Sequence, residues 1–280
     1  GIITNITYAH AKNFKTLFDI AKAKSEIIFN IRKNGTIVLN KDDKFFDFFS
    51  KLAKKNNLNI ISFGKHKNSN VRLYKIKKIK KNCIVYVDVY SKVYNFKIHN
   101  NLLPYIENIL ASLAVCKSLN IIDKIKNNFF YNYKIPNGRG DIKKITIGSK
   151  KINIIDESYN SNPLSLNFSI KKFDNLKINP DKKFLLLGDM LELGKFSKKL
   201  HIEAAKEINK AKFKKLFVYG NNIIDTFNKI RTQKKGKVLK STSDILNIIK
   251  NDLNNNDFLM IKGSNSTGLN KITKYIGTKF

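Results

Sequence analysis

The hydrophobic pattern changes period several times in the first half of the chain. Ile2, Ile3 and Ile6 within Gly1-Ile2-Ile3-Thr4-Asn5-Ile6 read as a core strand. Phe14, Leu17, Phe18, Ala21, Ile27 and Ile28 then recur at a helical interval, ahead of a short apolar run from Thr36 to Leu39. This predicts a β-α-β start. A helix near Lys44 to Lys55 and a strand at Asn59 to Phe63 follow, and then three β-rich stretches, Val71 to Ile76, Cys83 to Tyr90 and Val93 to Ile98, that read as an antiparallel meander. Pro104 stands where a helix can begin, with Ile106, Ile109, Leu110, Leu113 and Ala114 as its buried stripe. A second helix is predicted from Ile121 to Asn128.

Ile135-Pro136-Asn137-Gly138-Arg139-Gly140 concentrates backbone breakers, which puts a domain boundary there and divides the chain into residues 1–137 and 138–280. Beyond it the pattern simplifies. Apolar strands at Ile152 to Ile155, Phe184 to Leu187, Leu216 to Tyr219, Val238 to Leu239 and Phe258 to Ile261 alternate with helical segments, the signature of a doubly wound α/β domain.

Composition narrows the class. The apolar fraction of 42% is near the globular range, and no apolar stretch is long enough to span a bilayer, so the chain is expected to be a soluble cytoplasmic protein with no membrane insertion. Gly1 opens a core strand without the basic head of a signal peptide, so the start reads as a cut edge. Cys83 and Cys116 lie in apolar surroundings without CxxC spacing, as buried thiols do. The formal charge of +33 suggests a nucleic-acid partner at first sight. Only four of the 54 basic residues are arginines, however, and the lysines are scattered among Asn, Ile and Phe. Nucleic-acid surfaces draw on arginine for bidentate contacts, so the charge reads as a solvated, codon-driven surface and no nucleic-acid partner is expected.

A phosphate-binding loop needs Gly, four residues, then Gly-Lys-Ser/Thr. Gly188 to Gly194 has one residue too many and Phe196 at the hydroxyl position; Gly263 to Gly268 has the right gap but continues into Leu269 and Asn270. Neither qualifies. Three polar clusters do stand at strand ends, where α/β sheets place their sites. In Asp156-Glu157-Ser158-Tyr159-Asn160-Ser161-Asn162-Pro163, helix capping accounts for the last three residues, but not for two carboxylates, a tyrosine and an asparagine in one turn. Gly188-Asp189-Met190-Leu191-Glu192-Leu193-Gly194 is followed by His201, and a lone histidine is more often a satisfied or surface residue than a ligand. Lys262-Gly263-Ser264-Asn265-Ser266 reads either as a capped helix or as a seat for an anion. In the first half, His10 follows the opening strand and Lys24 lies in the next helix; lysine is not an ordinary metal ligand.

These clusters together resemble the Mur ligases, and within them the D-alanyl-D-alanine-adding type. The resemblance rests on DESYNSNP (Asp156 to Pro163), GDMLELG (Gly188 to Gly194) with His201 downstream, and KGSNS (Lys262 to Ser266), joined by ITNITYAHAKNF (Ile3 to Phe14), AKAKSEI (Ala21 to Ile27) and VLNKDD (Val38 to Asp43). It implies a partial central ATPase domain followed by a Rossmann-like C-terminal domain. It further implies that His10 and a carbamylated Lys24 hold Mg2+, and that Asn108 contacts adenine. Arg139, Asp156, Glu157 and Asn160 would lie near ATP, while His201, Lys262 and Ser264 would meet the substrate. Two departures stand out: Pro104 and Tyr105 occupy the positions ahead of Asn108 where the family carries His-Asn, and Asn265 stands where an arginine is common.

The implied reaction joins D-alanyl-D-alanine to UDP-N-acetylmuramoyl-tripeptide through an acyl phosphate, with ATP and Mg2+, in peptidoglycan precursor synthesis by a monomer. The family's UDP-sugar domain and phosphate loop would precede Gly1, so the chain alone is expected to be inactive. Two alternatives remain: another Mur ligase or a folylpolyglutamate synthetase-like amide ligase, or a non-catalytic basic nucleic-acid-binding protein.

Overall fold

The computed structural model describes residues 1–9 and 11–279, so His10 lies outside the described residues. The described residues form two compact units: residues 1–7 with 14–134, and residues 8–9 and 11–13 with 135–279.

The first unit is built on a six-stranded sheet, β1 (Ile2–Ile3), β2 (Thr36–Asn40), β3 (Asn59–Gly64), β4 (Val71–Ile79), β5 (Asn82–Val89) and β6 (Lys92–His99), in that spatial order. β1, β2, β3 and the start of β4 run parallel, whereas β4, β5 and β6 form the expected antiparallel meander. Along β5, Cys83, Val85, Val87 and Val89 are buried while Ile84, Tyr86 and Asp88 are only partly covered, the period-2 pattern of a sheet with one packed face. Helix α1 (Leu17–Phe29) starts from a capping box in which Thr16 and Asp19 exchange side-chain and backbone bonds. α2 (Phe46–Lys55) and α3 (Ile106–Ser118) pack on β2 and β3, α3 burying Ile106, Ile109, Leu110, Leu113 and Ala114 as its stripe predicts.

The helix expected over 121–128 is absent: only a single 3-10 turn forms, Ile122–Lys124. Tertiary contacts override the local pattern there. The Lys97 amide donates to the Asn127 carbonyl, Phe130 meets Phe96 edge-on, and Tyr131 stacks on His99, which draws the segment along β6.

The second unit holds β7 (Asp141–Ile147), β8 (Lys150–Glu157), β9 (Lys183–Gly188), β10 (Lys215–Tyr219), β11 (Lys235–Leu239) and β12 (Phe258–Lys262), in spatial order β11-β10-β9-β12-β8-β7. All neighbours are parallel except β7, an antiparallel edge strand that the hydrophobic pattern did not announce. Alternate side chains feed two cores. Ile155, Leu185, Leu187, Val218 and Met260 meet α4 (Pro163–Asp174), α5 (Ser197–Lys210) and α6 (Ile223–Asn228) on one face. Ile154, Leu186, Phe217, Leu259 and Ile261 meet α7 (Thr242–Asn247) and α8 (Leu269–Lys279) on the other. Tyr8 joins the first of these cores, its ring 5.1 Å from Phe196.

β12 lies between β8 and β9, whose following helices leave to one face, while α8 leaves β12 to the other. The chain therefore diverges at the carboxyl end of β12, the switch point at which doubly wound sheets bind ligands.

Candidate functional site

The carboxyl ends of β8, β9 and β12 bring the three polar clusters together. Because strand side chains alternate, Asp156 and Glu157 leave β8 on opposite faces. Asp156 is buried on the α8 side. Its Oδ2 accepts from Lys143 Nζ at 2.9 Å and its Oδ1 from the Ser158 hydroxyl and amide at 2.5 and 3.0 Å, while Ser158 Oγ lies 3.2 Å from Thr273 of α8. Burial pushes the Asp156 carboxyl up, but bonds from Ser158 and Lys143 outweigh it and hold the group below its ordinary value.

Glu157 turns to the α4 side, where Lys172 Nζ stands 3.5 Å from its Oε1. Its register partner on β12 is Lys262, 2% exposed, whose ammonium donates to the Asn160 carbonyl at 2.9 Å. Burial drives the Lys262 pKa down to about 8, against the attraction of Glu157 and with the repulsion of Arg139 and Lys172. Asn160 and Tyr159 are exposed at the top of this turn, and the Arg139 guanidinium lies 4.2 Å over the Tyr159 ring. The segment bearing Arg139 is pinned to the strand end: Gly138 N–H donates to Asp141 Oδ1, Tyr159 N–H to the Gly138 carbonyl, and Gly140 N–H to the Asp156 carbonyl.

Ser264 links all three loops. Its hydroxyl accepts from the Leu191 amide at 2.8 Å and donates to the Ser161 carbonyl at 3.1 Å, and its amide donates to the Asp189 carbonyl. Asp189 in turn accepts the amides of Ile223 and Asn221, which seats the start of α6. His201 is fully buried. Its Nε2 accepts the Met190 amide at 3.1 Å and its Nδ1 lies 2.8 Å from the Ser197 carbonyl, so Nδ1 carries the proton. Burial holds its pKa below the ordinary value.

In the two near-miss phosphate loops, Gly188 has a packing reason and Gly268 a conformational one. A Cβ on Gly188 would lie 3.4 Å from the Gly263 Cα and 2.7 Å from the Leu269 side chain, so close approach of β9 and β12 explains the first. Gly268 has a φ of 79°, a left-handed turn before α8. Behind that turn, on the α7 and α8 face, a cleft of about 280 Å³ is lined by Tyr219, Thr242, Thr267, Lys271 and Tyr275, none of which the sequence pattern had singled out.

In the first unit, Asn108 is exposed near the start of α3 and Lys24 is exposed on α1. The Asp42 carboxylate accepts the amides of Lys65 and His66, and Asp43 accepts the Ile6 amide, so the strand ends here are laced by side chains of the VLNKDD stretch. Among the described residues no group of three His, Cys, Asp or Glu could hold a metal. An exposed ammonium repels a cation, so the described residues do not by themselves fit Mg2+. Also among them, no helix is long and apolar enough to cross a membrane.

Lys143 and Lys172 were missed in the sequence because each meets its carboxylate only through tertiary packing, Lys143 from an edge strand and Lys172 from the last turn of α4.

Residues 1–116 match the family model of the Mur ligase middle domain, and residues 142–265 that of the Mur ligase, glutamate ligase domain. Among curated relatives, the UDP-N-acetylmuramoyl-tripeptide–D-alanyl-D-alanine ligase of Buchnera aphidicola (subspecies Baizongia pistaciae) is 30% identical over 99% of this chain and 58% of its own length. That of Rickettsia prowazekii is 26% identical over 98% of this chain and 60% of its own length. The chain thus spans somewhat under two thirds of the relatives it matches. Among solved structures, MurF from Acinetobacter baumannii superposes with a TM-score of 0.79 at 20% identity, covering 99% of this chain and 59% of that one. The MurF ligase of Thermotoga maritima in complex with ADP gives 0.78 at 22% identity, covering 99% and 61%. With two domain models of one family matching in order along most of its length, the chain belongs to the Mur ligase family and carries its middle and glutamate ligase domains.

Proposed function

We propose that this chain forms part of an ATP-dependent ligase that joins D-alanyl-D-alanine to UDP-N-acetylmuramoyl-tripeptide. The observation that carries the reading is the convergence of DESYNSNP, GDMLELG and KGSNS at one switch point, in a chain aligned almost end to end with ligases of that name. In such a reaction the terminal carboxylate of the tripeptide attacks the γ-phosphorus of ATP and ADP leaves. The dipeptide amine then attacks the acyl phosphate carbon and expels phosphate, losing a proton.

Catalysis of this kind depends on placing cations and donors where negative charge gathers. Arg139, held over Tyr159, is the guanidinium for the phosphates, and the exposed Asn160 follows Tyr159 in the same turn. Asp156 and Glu157 work as the internal partners of Lys143 and of Lys172 with Lys262, fixing the strand ends on which the nucleotide rests. Asn108, exposed on α3, faces adenine in this reading. His201 and Ser264 shape the GDMLELG loop, since both side chains are already engaged with its backbone. Lys24 would serve Mg2+ together with His10 only once carbamylation turns its ammonium into a carboxylate. The cleft behind Gly268 suits the dipeptide: one ammonium, Lys271, for the carboxylate, and hydroxyls for the peptide group.

Joining the N-terminal portion of the Rickettsia relative ahead of Gly1 and measuring phosphate release with the UDP-tripeptide and a panel of amines tests this. Turnover is expected with D-alanyl-D-alanine and not with L-alanine, D-glutamate or diaminopimelate; a preference for a single amino acid overturns the reading. The 280-residue chain by itself contains no Gly-Lys-Ser/Thr loop and is expected to release no phosphate in the same assay. In the joined protein, Lys271→Met is expected to raise KM for the dipeptide about tenfold with kcat little changed, the mark of a lost binding contact. An unchanged KM would remove the dipeptide from that cleft.

A further inference from the structure

The turn between β8 and α4 is held from beneath by an unequal set of charges, two lysines sharing one carboxylate. Lys262 is nearly inaccessible, and the hydrogen bond it makes among the described residues is to the Asn160 carbonyl. A buried ammonium with one acceptor needs a counter-charge. Glu157 supplies it as the lateral neighbour on β8, but the same carboxylate is shared with Lys172, which reaches across from α4. Residue 140, a glycine with a φ of 98°, leaves room for this pair: a Cβ there would crowd Lys172 Nζ and stand 2.7 Å from Glu157 Oε1. The groups facing Lys262 are thus Glu157 from β8, Lys172 from α4 and Arg139 from the segment before β7, while its neighbour on β9, Leu187, brings no charge.

We propose that Glu157 and Lys172 are positioning residues that set, in opposite senses, how firmly the Lys262 ammonium grips the Asn160 carbonyl, and that this grip locks the Tyr159-Asn160 turn on which Arg139 is stacked. A charged donor makes a hydrogen bond roughly twice as strong as a neutral one, so the turn is held while Lys262 is protonated and loosens when it is not. Glu157 favours the charged state. Lys172 opposes it twice, by like-charge repulsion and by engaging the carboxylate that Lys262 needs.

The opposite signs make the idea testable on the chain as it is. Lys262 is expected to titrate near pH 8 in side-chain nitrogen NMR spectra, and the amides of Tyr159 and Asn160 to shift with the same midpoint. Glu157→Gln is expected to lower that midpoint by about one unit and Lys172→Met to raise it by about one. Lys262→Met, which keeps the buried stem, is expected to abolish the pH response of the two amides. Midpoints that move the same way in both variants, or amides that ignore Lys262, overturn the proposal, since a merely structural pair would loosen the turn alike.

A second arm rests on the nucleotide reading given above. ADP affinity is expected to fall severalfold from pH 7 to pH 9 in the wild-type chain and to stay flat in Lys262→Met. If the amides titrate as stated while ADP affinity does not follow, the lock stands and the nucleotide reading of this turn falls.

Discussion

At the scale of single residues, the candidate site is dominated by polar groups whose partners are the protein's own backbone. His201 is the clearest case. Truncation to alanine leaves the buried Met190 amide without an acceptor, and the expected cost is about 1–3 kcal/mol, read as a lower denaturant midpoint at unchanged slope. The ring also makes stability depend on pH. Burial holds its folded-state pKa below the ordinary 6.5, so the unfolded chain takes up the proton first. The stabilisation is therefore complete above about pH 6.5 and is lost as pH falls through that value toward the folded one. Gln at this position keeps an acceptor for Met190 and a donor for Ser197 without titrating. The difference in melting temperature between wild type and His201→Gln is expected to shrink as pH drops from 7 to 5; a constant difference would show that the ring is not held neutral.

At the scale of elements, loops at the carboxyl edge are locked by carboxylates that occupy helix starts and turns. Gly220, with a φ of 132°, passes so close to Asp189 that a Cβ would lie 2.5 Å from Oδ1. Asp189 cannot retreat without releasing the Ile223 amide at the start of α6. Gly220→Ala is accordingly expected to cost about 1–3 kcal/mol and to increase amide exchange in α6 before the central strands. Uniform exchange across the unit would count against this coupling.

The same elements show what the sequence made legible. The central strands of the second unit were readable because buried parallel strands are nearly continuous apolar runs, and the three polar clusters were readable because each directly follows such a run; of β11 only Val238 and Leu239 were legible, Lys235-Gly236-Lys237 lacking the pattern. The opposite faces taken by Asp156 and Glu157 follow from strand period alone. β7 was not readable: Lys143 and Lys144 interrupt its apolar residues, and it is an edge strand. The helix expected at 121–128 failed for the converse reason: the Asn127 carbonyl takes the Lys97 amide, and Phe130 and Tyr131 just beyond it pack on Phe96 and His99 of β6. Lys172 and Lys143 carry no local signal among 54 basic residues, and only the fold distinguishes them from the solvated majority.

At the scale of the whole molecule, two features set the behaviour: separate cores and a large excess of positive charge. With 54 basic against 21 acidic residues, like charges crowd the folded chain more than the expanded one. Ions screen exposed charges beyond about 8 Å at physiological ionic strength, so added salt relieves the repulsion while leaving buried pairs such as Lys143 with Asp156 nearly untouched. Each unit buries its own apolar residues, so each is expected to unfold in its own transition. Calorimetry is therefore expected to resolve two transitions that both rise as sodium chloride is raised from about 20 to about 200 mM, over which the Debye length shrinks several-fold. Leu39→Ala, in fully packed β2, is expected to lower one transition, and Leu187→Ala, in fully packed β9, the other, each by about 2–5 kcal/mol of unfolding free energy. Both variants displacing one common transition would mean the units unfold as a single cooperative body. Transitions that fall with salt would mean that specific ion pairs, rather than the net repulsion of the lysines, govern the stability of this chain.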